Sequence, residues 1–276
     1  MRVSALVVYP IKSCGGVELG RARVERRGLE RDRRFMLVDE QGSFVTQREE
    51  GRLALTRLGV AEGVVRVTAE GQPPLALSAE PAAGERIRVR VWDDDTEGLV
   101  QPEASAWFSR FLGRPVRLVH MPPDVRRPVD PGYGQAGDEV GFADGFPLLL
   151  ISEASLEELA RRLERPVEMR RFRPNLVVTG ASPHAEDGWR RFRVGTLTFR
   201  AVKPCSRCLI TTRDPDTGEL GKEPLATLAG YRKQDGKVMF GVNVIPDGPG
   251  EIAVGDVVEP LSEPRGSARG PARTGS

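Results

Sequence analysis

Apolar residues fall in short alternating or continuous runs along most of the chain, and helical spacing surfaces at only three places. From Arg2 to Val8 the run reads as a buried strand that stops at Pro10, and Lys12, Ser13, Cys14, Gly15, Gly16 after it form a turn-prone polar loop. Arg34 to Val38 and Ser43 to Gln47 flank Asp39, Glu40, Gln41, Gly42, the pattern of a hairpin with a glycine-containing turn. Ile87, Val89 and Val91 alternate with arginines, which places one face inward and the other in water. Ala104, Trp107, Phe108, Phe111 and Leu112 instead recur at helical spacing and predict a short amphipathic helix closing the first half.

A boundary is expected near residue 120, because the Pro-, Asp- and Gly-rich stretch from Pro122 to Gly137 reads as a long surface loop. Leu148 to Ile151 is then a short apolar strand. Ser152 or Ser155 can cap the helix that follows, which carries Leu156, Leu159 and Leu163 inward, and Ser155 with Glu158 has capping-box spacing. Leu176 to Thr179, Val194 to Ala201 and Leu209 to Thr212 predict further strands, and Leu225 to Tyr231 a second helix of this half. The fold class expected is mainly β with a few accessory helices: residues 1–120 as an N-terminal β region, 121–262 as a second β domain, and 263–276, rich in Pro, Gly, Ser and Arg, as a disordered tail.

Composition narrows the function classes. A 39% hydrophobic and 29% charged chain of 276 residues can bury a core without disulfide staples. The formal net charge of +2 is far from the basic excess of nucleic-acid binders, so no nucleic-acid partner is expected. No apolar run approaches the roughly 20 residues of a membrane-spanning helix. Three cysteines leave at least one thiol unpaired, and with no secretory signal before the first strand a reducing cytoplasm is the expected compartment.

The informative segment is Lys203, Pro204, Cys205, Ser206, Arg207, Cys208. Three chemistries compete for it. A structural zinc site would need Cys14, His120 or His184 to complete its tetrahedron. A redox dithiol would need to open a helix, whereas the pair runs into a strand-like stretch. A single thiolate holding a soft or redox-active metal is favoured by the adjacent cations Lys203 and Arg207. Spacing alone leaves these open. His120 and His184 sit in no recognisable motif, and packing or surface roles are expected for both.

The stretch from Lys203 to Gly218, with Glu223, Pro224, Leu225 and Tyr231, resembles the signature region of MOSC domains, in particular those of the amidoxime-reducing components and their bacterial relatives. Tyr9, Pro10, Ile11, Lys12, Ser13 resembles the start of the N-terminal region associated with that domain. Phe142 to Leu156 resembles the domain's opening, Phe172, Arg173, Pro174, Asn175 its middle motif, and Phe240, Gly241 with Pro249 to Asp256 its closing strands.

The resemblance implies a C-terminal MOSC β-barrel and a molybdenum cofactor, a molybdopterin whose phosphate is held by the protein. It makes Cys208 the metal ligand and catalytic thiolate and assigns no role to Cys205, for which packing beneath the site is expected. Phosphate-holding falls on Lys12, Ser13 and Arg34, joined by Arg173 and Asn175; lysine and forked guanidinium groups suit a phosphate. Asp144 and Ser152 fall in the site-facing region, where turn-forming and capping are the competing roles. The implied activity is a pyridoxal phosphate-independent oxidoreductase reaction, reduction of small N-hydroxylated substrates such as hydroxylamines, amidoximes or N-hydroxylated bases. A separate donor protein, a ferredoxin or a flavin- or haem-type reductase, would supply electrons. A cofactor carrier or sulfur-transfer protein without turnover is the alternative.

Overall fold

The structure, a computed structural model, describes residues 1–261, so the tail expected at 263–276 lies outside the described residues. The protein is mainly β. Its largest sheet has nine strands, and the chain's first strand, Arg2–Val8, pairs antiparallel with Leu176–Thr179 inside it. Arg21–Glu25 likewise pairs with Gly250–Ala253. The first 29 residues therefore contribute strands to sheets completed by the second half, and the pairing crosses the position near 120.

The strand Leu148–Ser152 shows why a continuous apolar run belongs at the sheet's centre. Leu148 and Leu150 enter a core shared with Val24, Leu29 and Ile252 from the small sheet beneath, while Leu149 and Ile151 face Leu159, Phe172, Leu228 and Phe240. A strand covered on both faces has no polar face to show. The helix Glu153–Leu163 then carries the chain to Leu176–Thr179, which lies parallel to Leu148–Ser152, and a parallel pair needs such a crossover. Ser152 is the helix cap: its Oγ accepts from the Ser155 amide at 3.2 Å. Glu158 does not complete a capping box and pairs with Arg161 and Arg162.

In the first half the strand Phe35–Val38 is again buried on both sides. Phe35 and Leu37 meet Trp107, Phe108 and Phe111 of the helix Pro102–Leu112, while Met36 and Val38 meet Val89, Val91 and Val119. Ser43 to Gln47 returns beside it through isolated bridges, without a regular strand. A separate three-stranded meander, Arg57–Ala61, Val64–Thr68 and Leu75–Ser78, packs on the same helix.

Three expectations are corrected. The run Val194 to Ala201 is two strands, Arg191–Val194 and Leu197–Ser206, because Gly195 takes φ 57° and reverses the chain. Leu209–Thr212 is a turn of 3-10 helix, not a strand. There Thr211 Oγ1 donates to the Cys208 carbonyl at 3.0 Å and Thr212 Oγ1 to the Leu209 carbonyl at 2.8 Å, a local alternative to a ladder. The loop after residue 121 is not merely superficial. The buried Arg127 guanidinium donates to the carbonyls of Gly141, Ala143 and Asp144 at 2.6–2.8 Å and pairs with Asp94, fixing the segment that carries Asp144.

Candidate functional site

A basin of about 480 Å³ opens where segments from both halves converge. The loop after the first strand supplies Lys12 and Ser13. That loop is tightly closed: Ser13 sits at φ 67°, and a Cβ on Gly15 would meet the Thr56 carbonyl oxygen at 2.4 Å. Lys12 is buried, and its Nζ donates to the Phe142 carbonyl at 2.7 Å and pairs with Asp144. Burial pulls its pKa down from the ordinary 10.5 to about 8, although Asp144 opposes the shift. For Asp144 burial in the basin would raise the pKa, but Lys12 and then Arg48 outweigh it and hold the carboxyl below its usual range. Asp144's side chain is half exposed, so this pair is partly screened by solvent.

Arg33 and Arg173 form the next layer. Their guanidinium carbons lie 4.3 and 4.2 Å from the centroid of the buried Tyr9 ring, whose hydroxyl is pushed up to about 12 by burial. Arg33 is anchored by Asp32 at 2.7 Å and by Asn175 Oδ1 at 3.0 Å. Arg173, at φ 57°, donates through Nη1 to the Cys14 carbonyl at 2.6 Å, while its buried Nη2 has no partner. Burial, then repulsion from Arg33, lowers its pKa to about 10.

The opposite wall comes from the end of the strand Leu197–Ser206. Its register shifts twice, between Ala201 and Lys203 and between Pro204 and Ser206, and Pro204 between them has no amide to give the ladder. Lys203, Cys205, Arg207 and Cys208, at and just beyond this end of the strand, line the basin. Arg207 Nη1 lies 3.1 Å from Cys205 Sγ, its Nη2 donates to the Phe172 carbonyl at 2.7 Å, and its buried Nε is unpartnered. Cys205 also packs with Phe172 and Phe240.

Lys12, Ser13, Asp144, Arg173, Asn175 and Cys208 are thus brought together. Asn175 is not a free donor, since its Oδ1 accepts from Arg33 and the Leu149 amide and its Nδ2 donates to the Val7 carbonyl. Arg34 and Ser152 lie elsewhere. Arg33, in the turn before the strand Phe35–Val38 at φ 46°, takes the basin side, while Arg34 is buried against Glu25 at 2.6 Å. Ser152 is fully buried in a cluster with Ser155 and Glu186. The basin also contains Arg33, Arg48 and Trp92, for which the sequence carries no distinguishing motif.

Six cations line this basin (Lys12, Arg33, Arg48, Arg173, Lys203, Arg207) against one carboxylate, Asp144, and two of the guanidinium groups keep an unused buried donor. Such a set suits a polyanion. Among the described residues no group of three or more His, Cys, Asp or Glu could hold a metal, which disfavours a protein-only zinc site. Cys208 and the cation set fit a metal whose other ligands arrive on an anionic organic chelate.

Residues 1–115 match the MOSC N-terminal beta barrel domain, and residues 137–259 match the MOSC domain. The chain is similar to mitochondrial amidoxime-reducing component 1 of Homo sapiens, 38% identical across 280 aligned positions that cover 95% of this chain and 83% of that protein. The Mus musculus counterpart is also 38% identical, over 95% and 82%. Mitochondrial amidoxime reducing component 2 of Homo sapiens is 34% identical, over 93% and 82%.

Proposed function

The chain belongs to the MOSC family that includes the amidoxime-reducing components, and from that premise we propose that it is a molybdenum-cofactor-dependent oxidoreductase that reduces N-hydroxylated compounds. Converting an N–OH group to N–H consumes two electrons and two protons and releases water. When bound, the cofactor supplies the oxygen-accepting, two-electron chemistry.

The protein's part is ligation, anchoring and enclosure. Cys208 provides the thiolate for the metal, a soft donor matched to a redox-active centre. Lys12, Ser13, Arg33 and Arg173 hold the phosphate: Lys12 as a point charge, the arginines as forked donors already oriented by Asp32, Asn175 and the Cys14 carbonyl. Asp144 keeps Lys12 charged in a setting whose burial would otherwise neutralise it. Asn175 positions Arg33 and ties the Val7 carbonyl to the strand beginning at Leu148. A separate donor protein, a ferredoxin or a flavin- or haem-type reductase, would supply the electrons. No helix among the described residues is long and apolar enough to cross a membrane.

The observation that carries this reading is a thiol, Cys208, in a cation-lined basin where, among the described residues, no group of three or more His, Cys, Asp or Glu could hold a metal unaided. Protein made in a cofactor-competent host should contain molybdenum and reduce benzamidoxime with supplied electrons. Cys208→Ala should lose the metal while keeping its circular dichroism and melting transition. Normal loading of that variant would remove Cys208 from its role; full loading of the wild type with no reduction of any N-hydroxylated compound would favour a carrier.

A further inference from the structure

Like Ser13, Arg33 and Arg173, Trp92 lines the basin with its backbone in the left-handed region, and it is the bulkiest of the four. Trp92 is the first of two residues linking the paired strands Arg86–Val91 and Asp94–Val100, at φ 57°. That position in a hairpin favours Gly, Asn or Asp, and a bulky residue there is strained. Its ring does not repay the strain by burial, for Trp92 is 46% exposed whereas Trp107 and Trp189 are 2% and 8% exposed. It lies at the rim, lining the basin and open to solvent. Its orientation is nevertheless fixed. Phe44 meets it edge-on with centroids 5.0 Å apart, and the Arg48 guanidinium, itself held by Asp144 at 3.3 Å, sits 4.6 Å from the ring. An indole held rigid, strained and half in water at the rim of a binding basin is a preorganised stacking surface.

We propose that Trp92 determines substrate specificity, taking the planar π-bonded part of aromatic N-hydroxylated substrates by stacking and leaving aliphatic ones without that contact. The identity of the reacting head group rests on the reduction proposed above; the stacking does not.

The test compares wild type, Trp92→Phe and Trp92→Ala, each normalised to molybdenum content, on benzamidoxime and on an aliphatic amidoxime. Trp92→Ala should raise KM for benzamidoxime about tenfold with kcat little changed and leave the aliphatic KM within twofold, and Trp92→Phe should restore most of the difference. Independently of turnover, benzamidoxime titrated into the purified holoprotein should quench the exposed fraction of tryptophan emission saturably, and Trp92→Phe should abolish that quenching. Trp92→Gly, which relieves the backbone, should melt no lower than Trp92→Ala. Quenching without turnover of either amidoxime would sink the reductase reading and leave this one standing. Turnover with equal KM changes on both substrates, a KM change confined to the electron donor, or quenching that survives in Trp92→Phe would overturn it.

Discussion

Lys12 and Asp144, 132 positions apart in sequence, form an ion pair in the basin, with Lys12 Nζ also held by the Phe142 carbonyl at 2.7 Å. Burial makes this lysine ready to lose its proton near pH 8, whereas an unfolded chain would keep it to about 10.5. Between those values the unfolded state binds more protons, so the penalty that this group imposes on the cofactor-free fold is present at neutral pH and fades as pH rises from about 8. Lys12→Met should therefore be at least as stable as wild type at pH 7, and its advantage should shrink from pH 8 to 10.5. It should also hold the molybdenum cofactor at least about tenfold more weakly, through the lost charge-assisted contact. Denaturant melts of the cofactor-free proteins across pH, beside metal analysis, check both; an advantage that stays flat with pH would remove the titration from Lys12.

Arg33 and Arg34 are neighbours with separable tasks. Arg34→Met should cost about 2 kcal/mol, because its guanidinium is buried against a partly exposed Glu25, and should leave molybdenum content per folded protein unchanged. Arg33→Met should lower that content. Equal metal loss in both variants would argue that the two side chains share the basin.

Ser152 belongs to a polar knot. Its amide and Oγ both donate to the fully buried Glu186, at 3.1 and 2.9 Å, and Ser155 Oγ donates to the same carboxylate at 2.7 Å. Ser152→Ala removes a cap and one of these bonds, and should destabilise by about 1–2 kcal/mol with no change in metal content. Loss of molybdenum without loss of stability would return Ser152 to the site.

These residues show what a sequence can and cannot specify. Leu148 to Ile151 is legible as a central strand because covering both faces demands four apolar residues in a row. Leu209 to Thr212 offers the same apolar and β-branched signal, yet its threonine hydroxyls close a turn, and nothing local ranks the two outcomes. No strand alternation reaches Arg33 and Arg34, because Arg33 lies in a turn at φ 46°, so nothing local says which of them faces the basin. The choice is made by Asp32 and by Asn175, which is 142 positions away. Ser152 reads equally as cap or ligand until Glu186, 34 positions on, is brought beside it. Trp92 is missed for another reason: turn chemistry argues for glycine there, and a residue that violates its local rule announces function only once its surroundings are known.

Cys205 and Cys208 are distinguished by their neighbours. Cys205 is packed with Phe172 and Phe240 and accepts from Arg207, so Cys205→Ala should cost about 1 kcal/mol from a small cavity and keep the metal. Metal loss as complete as in Cys208→Ala would show instead that both thiols ligate.

Arg173 offers the sharpest separation of charge from geometry. One nitrogen of its guanidinium is committed to the Cys14 carbonyl at 2.6 Å, another is buried without a partner, and the plane lies against Tyr9. A lysine would keep the positive charge but could not bridge the Cys14 carbonyl and a phosphate with two fixed donors. Arg173→Lys should then behave more like a deletion than a conservative change, with cofactor retention down roughly tenfold and the melting temperature lowered by no more than a few degrees. Arg173→Gly should recover part of any stability lost, because it relaxes the strained φ of 57°, while retaining still less cofactor than the lysine variant. If Arg173→Lys retains cofactor as well as wild type, charge alone fills the basin's need at this position, and the unpartnered Nη2 has no ligand to meet.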